Sequence, residues 1–132
     1  MTRTATCWCG QAQAVCEGEP TRVSVCHCLN CQQRSGSAFA AQARFPVGRV
    51  TINGDLHDYV RAGDSGKRAT FRFCRTCGAT LAYTAEAEPD LIAIPIGNFA
   101  DPTAFGPPLY SVYEGRKLAW VEVTGAGTEH YD

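Results

Sequence analysis

The sequence predicts an all-β fold, a sandwich or partly open barrel built from many short strands. Three observations carry that expectation. Apolar and polar residues alternate in short runs, with the period of two that places successive side chains on opposite faces of a strand. Gly, Pro, Asn and Asp interrupt those runs at roughly the eight- to twelve-residue spacing of sandwiches and barrels. No window sustains the 3.6-residue period of an amphipathic helix.

In chain order, residues 12–16 and 21–25 alternate and are split by Gly18, Glu19 and Pro20. Residues 39–45 form a third candidate strand, closed by Pro46 and Gly48. Residues 50–52 end at Asn53-Gly54, a strong tight-turn signal because both residues tolerate the positive φ of a hairpin turn. Residues 56–61 resume the alternation and 62–66 read as a loop. Residues 70–73 and 80–84 flank a Cys-Arg-Thr-Cys-Gly turn, and 91–96 is an apolar run that fits a buried strand. Residues 118–123 are the last strand candidate, and 124–132 read as a loose tail, small and polar from Gly125 on. Helical room is limited to a turn or two about Gln32, Gln33 and Arg34. At 132 residues, with no repeat and no dividing linker, the chain reads as one domain, 1–132, large enough for a real core.

Seven of the eight cysteines fall into three clusters: Cys7 and Cys9; Cys26, Cys28 and Cys31; Cys74 and Cys77. Structural zinc is held by four protein ligands, whereas catalytic zinc keeps one position open. Two clusters of two make a closed set, and the cluster of three leaves a corner free. The pattern therefore predicts two zinc ions, one for folding and one for chemistry. Cys74-x-x-Cys77-Gly78 is a zinc-knuckle arrangement, in which a tight turn points both sulfurs at one ion and glycine permits the positive φ. With Cys7 and Cys9 it would tie the N-terminal strand to a distant hairpin. If residues 25–28 are extended, Cys26 and Cys28 share a face, His27 points away, and Cys31 completes three corners.

His27 is then expected to pack or hydrogen-bond behind the site rather than ligate. Cys16 stands alone on the face of Ala12 and Ala14 and is expected in the core. His57 and His130 are solitary and read as surface residues. The fourth position of the second site is left to water or a substrate thiol. Three thiolates make zinc a weak activator of water but a natural partner for another thiolate, which points to a bound thiol attacking a small electrophile.

The net charge of −1 gives no footprint for nucleic acid or anionic lipid, and no apolar stretch is long enough for a membrane helix. Residues 1–5 contain no apolar core of a secretory signal, so the expected setting is the cytoplasm, where a reducing pool disfavours disulfides. Oligomeric state is not legible.

The pieces Cys7-x-Cys9-Gly10, Cys26-His27-Cys28-x-x-Cys31 with Ser35-Gly36-Ser37-Ala38-Phe39, Phe73-Cys74-x-x-Cys77-Gly78, and Ile96-Gly97-Asn98-Phe99-Ala100-Asp101-Pro102 resemble the glutathione-dependent formaldehyde-activating enzyme family, which includes centromere protein V. The resemblance runs from about Thr6 to Trp120. It implies a β-tent-like fold of short antiparallel strands. It also implies structural zinc on Cys7, Cys9, Cys74 and Cys77, and catalytic zinc on Cys26, Cys28 and Cys31, where the thiol of glutathione binds. The implied reaction is carbon–sulfur lyase chemistry on the adduct of that thiol with formaldehyde. Arg34, Ser35 and Gly36 follow the site closely and are candidates to contact the substrate. Two other readings stay open: a non-catalytic zinc scaffold or thiol carrier, and a redox sensor whose Cys26, Cys28 and Cys31 release zinc on oxidation.

Overall fold

The computed structural model describes residues 1–63 and 65–132; Asp64, inside the loop expected over 62–66, lies outside the described residues. The chain runs β1 (Thr2–Thr6), β2 (Gln13–Glu17), β3 (Arg22–Cys26), α1 (Leu29–Ser35), β4 (Ala40–Pro46), β5 (Val50–Asn53), β6 (Leu56–Ala62), β7 (Arg68–Cys74), β8 (Thr80–Ala85), β9 (Glu88–Pro95), β10 (Tyr110–Val112) and β11 (Glu129–His130). The fold is mostly β, as the alternation requires, and its single α-helix sits where helical room was expected.

The strands form two sheets, one in the order β1-β2-β5 and one in the order β11-β10-β3-β4-β9-β8-β7-β6. In the small sheet, alternation turns Ala14 and Cys16 inward and leaves Gln13 and Glu17 exposed. Ala5, Ala12, Ala14 and Cys16 are fully buried, and their small volume lets this sheet lie close on Phe45, Ile92 and Ile94 of the large one. Each large apolar side chain so buried contributes about 1.5–3 kcal/mol. The register of β7 and β8 slips at Phe73, which pairs with Thr80 while Arg72 pairs with Ala82; Leu81 is the extra residue of the bulge, and it is fully buried in the core. At the Asn53-Gly54 turn, Gly54 has φ +120°, and a Cβ there would fall 2.5 Å from the Ala12 Cα, so only glycine fits.

The other face of the large sheet is partly covered by the helix. Cross-strand register places Arg22, Arg44, Ala93, Tyr83, Phe71 and Tyr59 in one row across β3, β4, β9, β8, β7 and β6. The helix α1 lies over this face, with the Arg34 guanidinium 4.8 Å from the Tyr83 ring and 5.2 Å from the Phe71 ring.

Two segments depart from expectation. Residues 118–123 form no strand: Val121 N–H donates to the Leu118 carbonyl (3.0 Å) and Lys117 Nζ to the Val121 carbonyl (2.8 Å), which folds the segment into a turn. A strand without a sequence expectation, β10, pairs parallel to β3. Residues 124–132, expected as a loose tail, carry β11, which pairs parallel to β10, with Glu129 and Tyr131 N–H groups bonded to the Leu109 and Ser111 carbonyls (both 2.9 Å). Finally, the N-terminal strand, expected without bounds, is β1, and it pairs with β2 along its whole length.

Candidate metal centres and the adjoining cavity

The knuckle is built by two turns that face each other. Cys7 follows β1, and the turn after it closes through Gly10 N–H to the Cys7 carbonyl (3.1 Å), with Gly10 at φ 87°. Cys74 ends β7, and its turn closes through Gly78 N–H to the Cys74 carbonyl (2.9 Å), with Gly78 at φ 80°. The four sulfurs of Cys7, Cys9, Cys74 and Cys77 lie within 4.8 Å of one another. The Cys7–Cys9 and Cys9–Cys74 sulfur separations are both 3.7 Å. A tetrahedron with metal–sulfur bonds of about 2.3 Å has edges of ~3.8 Å, so this donor set fits a four-coordinate ion.

Hydrogen-bond donors converge on two of these sulfurs. Thr76 and Cys77 N–H groups donate to the Cys74 sulfur at 3.3 Å, the Gln11 amide donates to it at 3.0 Å, and Ala12 N–H donates to the Cys7 sulfur at 3.3 Å. Burial pushes the Cys74 thiol up, but the donors from Cys77, Gln11 and Thr76 outweigh it and bring it down to about 5. Gln11 also bridges to the β5–β6 turn, through its contacts with the Asp55 carbonyl (2.7 Å) and N–H (2.9 Å).

The second group is local. Cys26 closes β3, Cys28 is the N-cap of α1 and accepts from Cys31 N–H at 3.4 Å, and Cys31 stands in the first helical turn. Their three sulfurs also lie within 4.8 Å of one another, and no other described His, Cys, Asp or Glu joins the group. Hydrogen bonding from the Cys26 thiol, helped by Cys28 and the Arg34 guanidinium, overcomes burial and lowers Cys31 to about 6; the same contact from Cys31, with burial, raises Cys26. Gln32 holds the helix in place by donating to the carbonyls of His27 (2.8 Å) and Arg116 (3.1 Å).

His27 turns away from the sulfurs. It is fully buried, its Nε2 lies 2.9 Å from Ser111 Oγ, its ring packs on Phe39, and burial lowers its pKa and keeps it neutral. Cys16 is a core residue, its thiol pushed up to about 11 by burial. His57 and His130 are exposed, and His130 pairs with Glu114 at 2.7 Å.

Cys31 and Arg34 stand on the wall of a cavity of about 430 Å³ between α1 and the β6–β8 face. Ser35 and Gly36 are not on that wall. They end the helix instead: Gly36, at φ 66°, donates its N–H to the Gln32 carbonyl (2.9 Å), and Ser35 Oγ accepts from Ser37 N–H (3.3 Å). Sequence reasoning missed the far wall, formed by Tyr59, Arg61, Lys67, Arg68, Phe71 and Tyr83. Its signal was present in the matched parity of Tyr59 and Arg61 on one strand and of Ala69 and Phe71 on the next, which places all four on one face.

Fold and site together define a class: a β-rich protein whose cysteines form two candidate metal-binding groups, one of four sulfurs and one of three. The chain matches the family described as glutathione-dependent formaldehyde-activating enzyme over residues 2–116, and it belongs to that family. A Rhodobacter sphaeroides protein known from its crystal structure has the same fold, with a TM-score of 0.59 at 18% identity over 98% of this chain and 99% of that one. No curated protein matches the chain. No helix among the described residues is long and apolar enough to cross a membrane.

Proposed function

We propose that this protein is a zinc-dependent carbon–sulfur lyase that handles the adduct of a thiol, glutathione by its family, with a small aldehyde such as formaldehyde. One observation carries the reading: the three-sulfur group has no fourth described ligand, and it opens through Cys31 onto a cavity. Cys7, Cys9, Cys74 and Cys77 would hold one zinc, for folding. Cys26, Cys28 and Cys31 would hold the other, which supplies a soft position that keeps a thiol as its thiolate near neutral pH.

The chain's own residues do the positioning. The cap at Cys28 and the Gln32 bonds fix the first turn of α1, and with it the direction in which Cys31 faces the cavity. Arg34, laid across Tyr83 and Phe71, keeps positive charge beside the sulfurs and is the proposed contact for a substrate carboxylate. Ser35 and Gly36 serve by ending the helix. In the reaction the thiolate sulfur attacks the carbonyl carbon, the C=O π pair moves to oxygen, and a proton from solvent neutralises it. The product carries a new S–CH2–OH group. A cytoplasmic setting belongs to the proposal, since free thiols need a reducing pool.

Exchange spectroscopy with 13C-formaldehyde and glutathione tests it. The purified protein should speed interconversion of free and S-hydroxymethyl carbon well above the buffer rate, and Cys31→Ser should return it to that rate. Equal exchange with and without wild-type protein overturns glutathione as the thiol, and the same result with other low-molecular-weight thiols overturns the lyase reading.

A further inference from the structure

The cavity beside Cys31 has a layout that a formaldehyde adduct alone does not use. Its floor is aromatic, formed by Tyr59, Phe71 and Tyr83, which are successive cross-strand neighbours. The next pair along, Ala69 and Ala85, faces the same cavity, and these short side chains leave the space above them open. The rim is cationic, with Arg34, Arg61, Lys67 and Arg68, and no described carboxylate lines it. None of these four takes part in an ion pair among the described residues. Arg34 rests on the rings, and Arg61 donates to the neutral Asn30 Oδ1 at 3.1 Å, which links β6 to α1 across the hollow.

An apolar hollow with convergent cations at one side is complementary to a ligand that is flat and apolar at one end and anionic at the other. Guanidinium groups hold carboxylates bidentately, and aromatic floors take flat bodies by stacking. We infer that this cavity selects the thiol, and that the preferred thiol carries a carboxylate on an apolar or aromatic body. Arg34, Arg61, Lys67 and Arg68 converge on the carboxylate, the body lies on the exposed Tyr59 ring beside Phe71, since Arg34 already covers Tyr83, and the sulfur faces Cys31. The inference rests on the three-cysteine group being a thiol site, as proposed above. It separates from glutathione on chemistry: that tripeptide brings an ammonium group, for which the described lining offers no carboxylate, and no flat apolar body for the aromatic floor.

Three thiols isolate the two features. 4-(Mercaptomethyl)benzoate has ring and carboxylate, benzyl mercaptan has the ring alone, and 3-mercaptopropionate has the carboxylate alone. Affinity is read by calorimetry on the zinc-loaded protein, and delivery of sulfur to the metal by the charge-transfer absorption of the cobalt form. The ring acid should bind at least about tenfold tighter than either partial thiol and tighter than glutathione, a gap of about 1.4 kcal/mol or more. The double variant Arg61→Ala, Arg68→Ala should weaken both acids about tenfold or more and leave benzyl mercaptan unchanged. Equal affinities across the three thiols, or equal losses for all three in the variant, overturn the inference while leaving the thiol site intact. No spectral change with any thiol overturns the thiol site and the inference together.

Discussion

The two sulfur groups use the same side chain and differ in what holds them. The sulfurs of Cys7, Cys9, Cys74 and Cys77 come from two turns far apart in sequence, and backbone N–H groups and the Gln11 amide point at them. Those of Cys26, Cys28 and Cys31 come from one strand end and the first turn of the helix after it, and one of them faces a cavity. A thiolate set that joins distant segments contributes its binding energy to folding, because the unfolded chain does not hold the ligands together. A thiolate set that is local in sequence contributes little to the topology, and its geometry is free to serve a ligand.

That comparison breaks first at its strongest point. Cys77→Ser should lose one zinc equivalent and the β signal in circular dichroism, since a structural zinc contributes about 10 kcal/mol and whole domains are stable by only about 5–15 kcal/mol. Cys31→Ser should lose one zinc equivalent and keep a wild-type spectrum. Identical behaviour of the two variants by elemental analysis and dichroism would erase the division.

The glycine at the β5–β6 turn sharpens the same contrast. Gly54→Ala must fit a Cβ 2.5 Å from the Ala12 Cα at a backbone φ of +120°. It should lower stability in urea by about 3 kcal/mol, even with zinc in excess. Thiol binding by the folded fraction should not change, because the turn abuts the four-sulfur side only. An unshifted midpoint would mean that the metal, not the turn, fixes that corner.

The solitary cysteine provides the control for both groups. Cys16→Val should keep both zinc equivalents and cost under about 1.5 kcal/mol, as a near volume-conserving change in a core. Loss of a zinc would make Cys16 a ligand and collapse the split into four and three.

The smallest effect lies on the cavity face, where Glu88 accepts from Arg22 and approaches Arg44 at 3.9 Å. The Arg22 hydrogen bond holds the Glu88 carboxyl below its usual range. A depressed carboxyl stabilises the fold above its ordinary value and ceases to do so as pH falls through the lowered one. With Glu88 partly exposed, Glu88→Gln should cost under about 1 kcal/mol at neutral pH. In urea melts the difference from wild type should vanish at strongly acidic pH; a constant difference would assign the loss to packing.

The sequence disclosed what is local. Cys26, Cys28 and Cys31 are grouped by six residues of chain, and the Cys74-to-Gly78 turn carries its own glycine, so spacing alone points to both. The burial of Cys16 and His27 followed from strand parity. What stayed hidden depends on partners remote in sequence. The three residues of β10 acquire their identity only by lying parallel to β3, while residues 118–123 have apolar character without a neighbour to pair with. The cavity is hidden for the same reason, because Arg34 meets Phe71 and Tyr83 only after the sheet has assembled.

The position of β9 gives that assembly an order of dependence. It joins β4 through Phe45 and Ile92, and β8 through Tyr83 and Ala93, so it is the seam between a half bearing the three local cysteines and a half bearing the aromatic floor. Neither half contains a cavity by itself. The three thiols can meet on a nascent chain as soon as residue 31 emerges, but the hollow beside them exists only once residues 88–95 have been made and zipped in. Reactive sulfur is thus available early in synthesis, and selectivity arrives late.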